Sequence, residues 1–381
     1  MWDQTNQNFN SSYLFVNDDK RGWGNTTFFS YFSQFNRSSS AYGITEAAIL
    51  TFLFILSLYF NIVVCAQLIC NRRMCTVTNS FICSLTIADM FLTFGAPMIA
   101  VTRITGSWIF GSWACSMMVY TEFVCGFVGI WTMTLIGLDR YICIVGRPVT
   151  RLTQRSALCI LLVVWVSALL CFLPMILYFD VHVVTFGQSH VTICTLIWPR
   201  QPKTKVSLIF IIILLLCVFI IPFGLLTWSY VNIFRRFWMV RQSIIKSRGK
   251  DNNPLRISSM SHKKRRDKRD FRIAKKLFCL LVFFFVMWAP IFVVVVFIGA
   301  DQHMRISSHV FVSSIAVCMG NAVVNPLYYG VVVERLRPRL SSCSKCYKFQ
   351  SVQSTPDAEQ QVAEHEHIRV ISDGIVSENK E

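Results

Sequence analysis

Charge is what this chain has least of. Only 15% of its 381 residues are charged, where a soluble chain of this length carries about a quarter. Acids are the scarcer sign, with 20 Asp and Glu against 37 Lys and Arg. So few charges exclude a large, evenly solvated surface. No nucleophile paired with a base stands out, so nothing points to an enzyme. No repeat of fixed period appears, which excludes a solenoid. No short apolar stretch with a cleavage site precedes the first long apolar run, so a removable signal peptide is not expected.

Apolar residues, by contrast, make up 54% of the chain, and Phe alone occurs 32 times. They are clustered. About 20 mostly apolar residues suffice to cross a bilayer core roughly 30 Å thick. Seven such segments occur, at 46–70, 79–101, 115–143, 156–179, 207–232, 273–299 and 306–330. The fold class expected is an all-α membrane protein, a seven-transmembrane helix bundle lying multi-pass in the plasma membrane. Residues 1–45 form an outer N-terminal segment, 46–330 the membrane domain and 331–381 a tail.

Basic residues set the orientation, because short cytoplasmic loops are enriched in Lys and Arg. Arg72 and Arg73, Arg147, Arg151 and Arg155, the run Lys263–Arg269, and Arg335, Arg337 and Arg339 all fall in loops of one side. The N-terminus is then outside and the tail cytoplasmic. Asn10, Asn25 and Asn36 each open an Asn-x-Ser/Thr triplet in the outer segment, which suits N-glycosylation. The first 40 or so residues, rich in Ser and Asn, are expected to be flexible. The net charge of +17 reads as topology plus attraction to anionic membrane lipid. Nucleic acid is not an expected partner, since the basic run reads as a loop between two spans.

Most of the 15 cysteines lie within spans, as small apolar residues. Two do not. Cys115 opens the third span, and Cys194 lies in the loop before the fifth, "DVHVVTFGQSHVTICTLIWP". Alternating Val, His and Thr around Gly187-Gln188 suggests a β-hairpin. The exterior is oxidising, so a Cys115–Cys194 bridge is the expected pairing, with two free thiols as the alternative.

Polar residues inside spans are costly and are functional candidates by default. Asn61, Asp89 and Asn325 each interrupt an apolar run. Asp89 and Asn325 suit a shared hydrated site with a sodium ion, or interhelical hydrogen bonding with no ion; both readings stand. Pro222, Pro290 and Pro326 are expected to break three helices, freeing carbonyls that neighbours or water must satisfy. In "TLIGLDRYICIV" (134–145), an acid, a base and a phenol (Asp139, Arg140 and Tyr141) sit in an otherwise apolar run.

Taken in order, Asn61, Asp89, "DRY" at 139–141, Trp165, Pro222 with Tyr230 eight residues on, "WAP" at 288–290 and "NPLYY" at 325–329 resemble the rhodopsin-like G-protein-coupled receptors over 46–340. The resemblance implies a ligand-gated switch. Asp139 would hold Arg140 at rest. On activation Arg140 would turn to a heterotrimeric G protein and to Tyr230 and Tyr329, with Trp288, Pro290 and Pro326 transmitting ligand contact. A light receptor would need a Schiff-base lysine in span seven, and 306–332 has no Lys. A transporter would show repeated halves with interrupted helices.

Within that family, "ICTLIWP" at 193–199, "DFR" at 270–272, Glu46, and Arg103 with Trp108 are similar to the long-chain free fatty acid receptors. The implied ligand is a small amphipathic carboxylate. Arg103 would anchor its head, as a planar guanidinium suits a carboxylate. Phe123, Phe127, Phe210, Leu214, Trp288 and Phe292 would surround its tail, and Trp108 would join Arg103 in the ligand site. Glu122 departs from the pattern, and a carboxylate there suits a cationic amine instead. In the tail, Cys343 and Cys346 suit palmitoylation. Ser351, Ser354 and Thr355, beside Asp357 and Glu359, suit phosphorylation and arrestin binding.

Overall fold

The protein is described from a computed structural model, which covers residues 12–18, 24–33, 40–70, 76–146, 151–186, 189–197, 206–247, 254–300 and 306–332. The chain forms two compact units, residues 1–336 and 337–381. Cys343, Cys346, Ser351, Ser354 and Thr355, like Asn10 and Asn36, lie outside the described residues.

Seven membrane-length helices form, Ala41–Ile69, Val77–Thr105, Gly111–Ile144, Gln154–Tyr178, Ile209–Gln242, Ala274–Ile298 and Ser308–Tyr328. Each expected span is present, and the fifth runs about three turns further than its apolar stretch. The third is the central helix. In its most apolar window 72% of the residues are buried, against 22% in spans one, five and six. That is why it carries Gly126, Gly129 and Gly137 among its buried residues, where neighbouring helices press closest. A Cβ at Gly137 would meet Leu226 Cδ2 at 2.4 Å.

Helix α1 is Ser40–Cys70. The second span is two helices, α2 (Val77–Thr93) and α3 (Ala96–Thr105). Thr76 caps α2 by accepting from the Asn79 amide at 3.3 Å. Pro97 sits in the first turn of α3, where a missing N–H costs least, so the chain restarts there after a break at Phe94–Gly95. Span three is α4 (Gly111–Ile144). The fourth span divides in the same way into α5 (Gln154–Cys171) and α6 (Leu173–Tyr178), with Pro174 opening α6. Neither break was expected from the apolar runs.

The fifth span passes from α7 (Val206–Leu214) through a π-helical turn, Leu215–Ile220, into α8 (Ile221–Ser247). The turn lies just before Pro222, which has no N–H to donate. Pro290 and Pro326, expected to break their helices, lie inside continuous ones, α9 (Pro254–Ala300) and α10 (Ser308–Val332). Local adjustment within a packed bundle absorbs them. The basic run 263–269, expected as loop, is the N-terminal part of α9. Between Pro254 and Pro290 there is no Pro or Gly to stop a helix, and Lys and Arg are good helix formers.

Two antiparallel hairpins complete the fold. β3 (Phe179–Phe186) and β4 (Ser189–Leu196) pair with Phe186 opposite Ser189, so the hairpin the sequence suggested is present, and Gly187 and Gln188 lie outside the described residues. The other hairpin is β1 (Tyr13–Asp18) with β2 (Gly24–Phe29). It lies where flexible chain was expected, and Asn25 pairs with Asn17 in its register. Both hairpins stand at one end of the bundle, called here the hairpin end.

Candidate ligand cleft and its two arginines

A cleft opens within the hairpin-end half, about 770 Å³ in volume with its mouth included. Spans two to seven all contribute, through side chains such as Leu92, Phe127, Phe172, Val218, Phe292 and Ile315. Its walls are almost wholly apolar. Of the expected ligand residues, Glu122, Phe123, Phe127, Leu214, Trp288 and Phe292 line it. Arg103, Trp108 and Phe210 are not among its lining residues.

Trp288 forms the floor. Its indole stacks on Phe284 with centroids 5.6 Å apart and approaches Phe292 at 6.2 Å. Gly126 makes room for it, since a Cβ there would lie 2.8 Å from Trp288 Cη2. Glu122 is the one acid in the wall. Its Oε1 is buried with no hydrogen-bond partner among the described residues, and a Cβ at Gly95 would sit 2.2 Å from it. The break between α2 and α3 therefore creates the niche that holds this carboxyl group.

Arg103 lies above the cleft, in a closed polar cluster. Its Nε donates to Glu46 Oε2 at 2.6 Å, and Nη1 donates to the Phe32 carbonyl and Ser308 Oγ, both at 3.0 Å. Nη2 meets His309 Nδ1 at 2.7 Å, and that nitrogen lies 2.6 Å from Glu46 Oε1. The side chain is 2% exposed. Sequence reading placed Glu46 and Arg103 side by side as resemblances but did not pair them, and it missed Phe32, Ser308 and His309. Trp108 is buried beside this cluster, packing on Phe32 and donating from Nε1 to the Gly111 carbonyl at 2.8 Å. Cys115 and Cys194 form the expected disulfide, which joins β4 to the first turns of α4.

The second arginine lies at the opposite, basic end. Arg140 Nη2 contacts Asp139 Oδ2 at 2.5 Å and also Thr78 Oγ1. Thr78 in turn donates to Asp139 Oδ2 at 2.8 Å. The acid thus holds the base. Tyr141 packs on Trp228, with ring centroids 4.7 Å apart. Tyr230 is buried against Phe234 and Phe278. Tyr328 donates to the Lys276 carbonyl, tying span seven to span six. Tyr329 is helical, but its side chain lies outside the described ones.

Between the two ends, Asn325 Nδ2 donates to Asp89 Oδ2 at 2.9 Å. Asn61 Nδ2 bridges the Ser57 and Ala322 carbonyls, each at 2.8 Å. The side-chain oxygens of Asn321 and Asn325 are buried without partners among the described residues. Asn321 and Asn325 lie one turn apart on α10.

Residues 60–329 match the model of the family described as 7 transmembrane receptor (rhodopsin family). The chain is 29% identical over 334 residues to Free fatty acid receptor 4 of Mus musculus, covering 85% of this chain and 88% of that one. It is 25% identical over 281 residues to Neuropeptide Y receptor type 2 of Homo sapiens, covering 72% and 69%. In fold it is similar to the crystal structure of squid rhodopsin, with a TM-score of 0.65 and 20% identity over 80% of this chain and 85% of that one.

Proposed function

The chain belongs to the rhodopsin family of seven-transmembrane receptors, which bind small ligands and couple to heterotrimeric G proteins, and from that premise we propose that its ligand is a long-chain free fatty acid. The receptor is a multi-pass protein of the plasma membrane and not an enzyme. The observation that carries the reading is the cleft, apolar on nearly all sides down to the Trp288 floor. Burying a hydrocarbon tail there is worth about 0.8 kcal/mol per methylene. The similarity to Free fatty acid receptor 4 supports it.

The head group would go to Arg103. A ligand carboxylate offers Arg103 what Glu46 already gives it, and Glu46 keeps His309 as a partner when displaced. Tail contact with Trp288 and Phe292 then shifts α9 about Pro290, loosens the tie between Tyr328 and Lys276, and frees Arg140 from Asp139 for the G protein. A ligand drives this only by its differential affinity for the two states. We place arrestin on the phosphorylated tail and a sodium ion on Asp89 with Asn325, both as parts of the same reading.

A second reading has its own observation. Glu122 Oε1 has no partner among the described residues and lies in the cleft wall, so a long-chain cationic amine would find a counter-charge there. Cells expressing the receptor, treated with oleate and then with oleylamine, separate the two by G-protein signalling. Oleate responses that weaken about 30-fold or more in Arg103→Ala, as loss of a buried charged partner implies, support the fatty acid. A response to amine alone, lost in Glu122→Gln, replaces it.

A further inference from the structure

The free cysteines of the spans lie in unequal settings. Cys125 and Cys318 are buried, and Cys159, Cys171 and Cys279 are exposed. Cys65 of α1 and Cys83 of α2 are each half-buried, and their thiols are hydrogen-bonded to one another across the two helices. Thr86, three residues on from Cys83 and wholly buried, completes the group. Its Oγ1 donates its single proton to the Cys83 and Ile82 carbonyls, at 2.9 and 3.1 Å. A lone pair of that oxygen is left for Cys65, whose Sγ lies 3.0 Å away. The bonds thus form a chain, from Cys83 to Cys65 to Thr86. On α1, Cys65 lies among Ile62, Ala66 and Ile69, all exposed on a membrane span. The pair is therefore approached from the acyl chains of the bilayer.

We propose that Cys65 and Cys83 are a modification site for organic hydroperoxides dissolved in the membrane, with Cys65 attacking and Cys83 resolving. The site is separate from the cleft and does not depend on the cleft's ligand. Roles follow from the hydrogen bonds, because the thiolate is the nucleophile. A thiolate on Cys65 accepts from the Cys83 thiol and, once the hydroxyl turns from its carbonyls, from Thr86. A thiolate on Cys83 has the Cys65 thiol as its one side-chain donor among the described residues. The Cys65 sulfur attacks the outer peroxide oxygen, forming an S–O bond as the O–O bond breaks. The departing alkoxide takes up the proton from Cys65, which gives an alcohol and a sulfenic acid. The Cys83 sulfur then attacks the Cys65 sulfur, and hydroxide leaves with the Cys83 proton as water. Two thiols are oxidised to a disulfide, and the hydroperoxide is reduced to an alcohol. A reactive thiol poised next to a resolving one is the setting in which this chemistry stays reversible. The bridge would tie α1 to α2 one turn from Asn61, whose amide holds the Ala322 carbonyl of α10.

Membranes carrying the full chain would be treated with cumene hydroperoxide, then denatured, blocked with N-ethylmaleimide and mapped by peptide mass spectrometry without reduction. Cys65 and Cys83 should lose maleimide labelling together and appear as one linked pair, at doses that leave the exposed Cys159 and Cys279 labelled. In Cys83→Ser the reaction should stop at the sulfenic acid, trapped on Cys65 by dimedone. In Cys65→Ser, Cys83 should keep its maleimide label. Full labelling of both cysteines after peroxide, or either one bridged to a different cysteine, would overturn the site. A dimedone adduct on Cys83 in Cys65→Ser would overturn the roles. The unmutated chain supplies the first readout, so a variant that fails to reach the surface leaves the site testable. Cumene hydroperoxide has no carboxylate and no long tail, so the outcome is independent of whether fatty acids activate the receptor.

Discussion

Two arginines mark the two ends of this bundle, and each is bound to a carboxylate at about the same distance, 2.6 Å for Arg103 and 2.5 Å for Arg140. Their settings differ. Arg103 takes its acid from a helix 57 residues away and spends its other donors on a backbone carbonyl, a hydroxyl and an imidazole. Arg140 takes its acid from the next residue, keeps 23% of its side chain exposed, and has an Nε with no partner among the described residues. One is a closed knot joining the N-terminal segment to α1, α3 and α10. The other is a latch that local rotation can open. Buried, fully satisfied pairs rigidify, and partly hydrated ones can change partners.

That contrast breaks most clearly at Arg103. Arg103→Ala strands Glu46 and should cost about 3–5 kcal/mol, read as a large drop in the melting temperature of purified receptor. Adding Glu46→Gln should recover part of it, a coupling that a double-mutant cycle measures. A loss no larger than that of Arg140→Ala would end the distinction. Next comes Cys194→Ser, which frees β4 from α4 and should cost about 2–4 kcal/mol, again with a lower melting temperature. Arg140→Ala should cost less than Arg103→Ala, because Thr78 still donates to Asp139, yet abolish G-protein activation while ligand still binds. Normal signalling by that mutant would show that the latch lies elsewhere. The smallest effect is expected for Thr78→Val. Losing the hydroxyl's bonds to Arg140 and Asp139, each worth about 0.5–1.5 kcal/mol, should loosen Arg140 and raise ligand-free signalling several-fold, measured as basal nucleotide exchange.

The same contrast explains what could be read from the chain. Arg140 and Asp139 are adjacent, and the seven apolar runs are continuous in sequence, so both were legible. The β3–β4 hairpin carried its own alternation and turn, and Cys115 with Cys194 followed from a span end and a loop on the same oxidising side. Arg103's partners were not legible, because Glu46, Phe32 and the pair Ser308 and His309 come from three distant segments with no local pattern linking them. The β1–β2 hairpin was hidden by a polar, Asn- and Ser-rich composition that reads as flexible chain. Its stability comes from docking on Phe311 and Thr195 rather than from its own propensity. The breaks at Gly95 and Phe172 were marked by Pro97 and Pro174, but an apolar run long enough to span a membrane masks a kink within it. The extent of α9 was masked in the opposite way, by a charged run that looked like loop and is helical.

The most direct measurement of the cleft's role uses a long-chain fatty acid carrying a diazirine at its terminal carbon. After photolysis in membranes containing the receptor, peptide mapping locates the label. The label should fall on the stretch of α9 that carries Trp288 and Phe292, saturate with dose, and be displaced by unlabelled oleate. Label confined to lipid-facing residues such as Phe283 and Val286, or label that excess oleate does not displace, would contradict a fatty acid tail in the cleft.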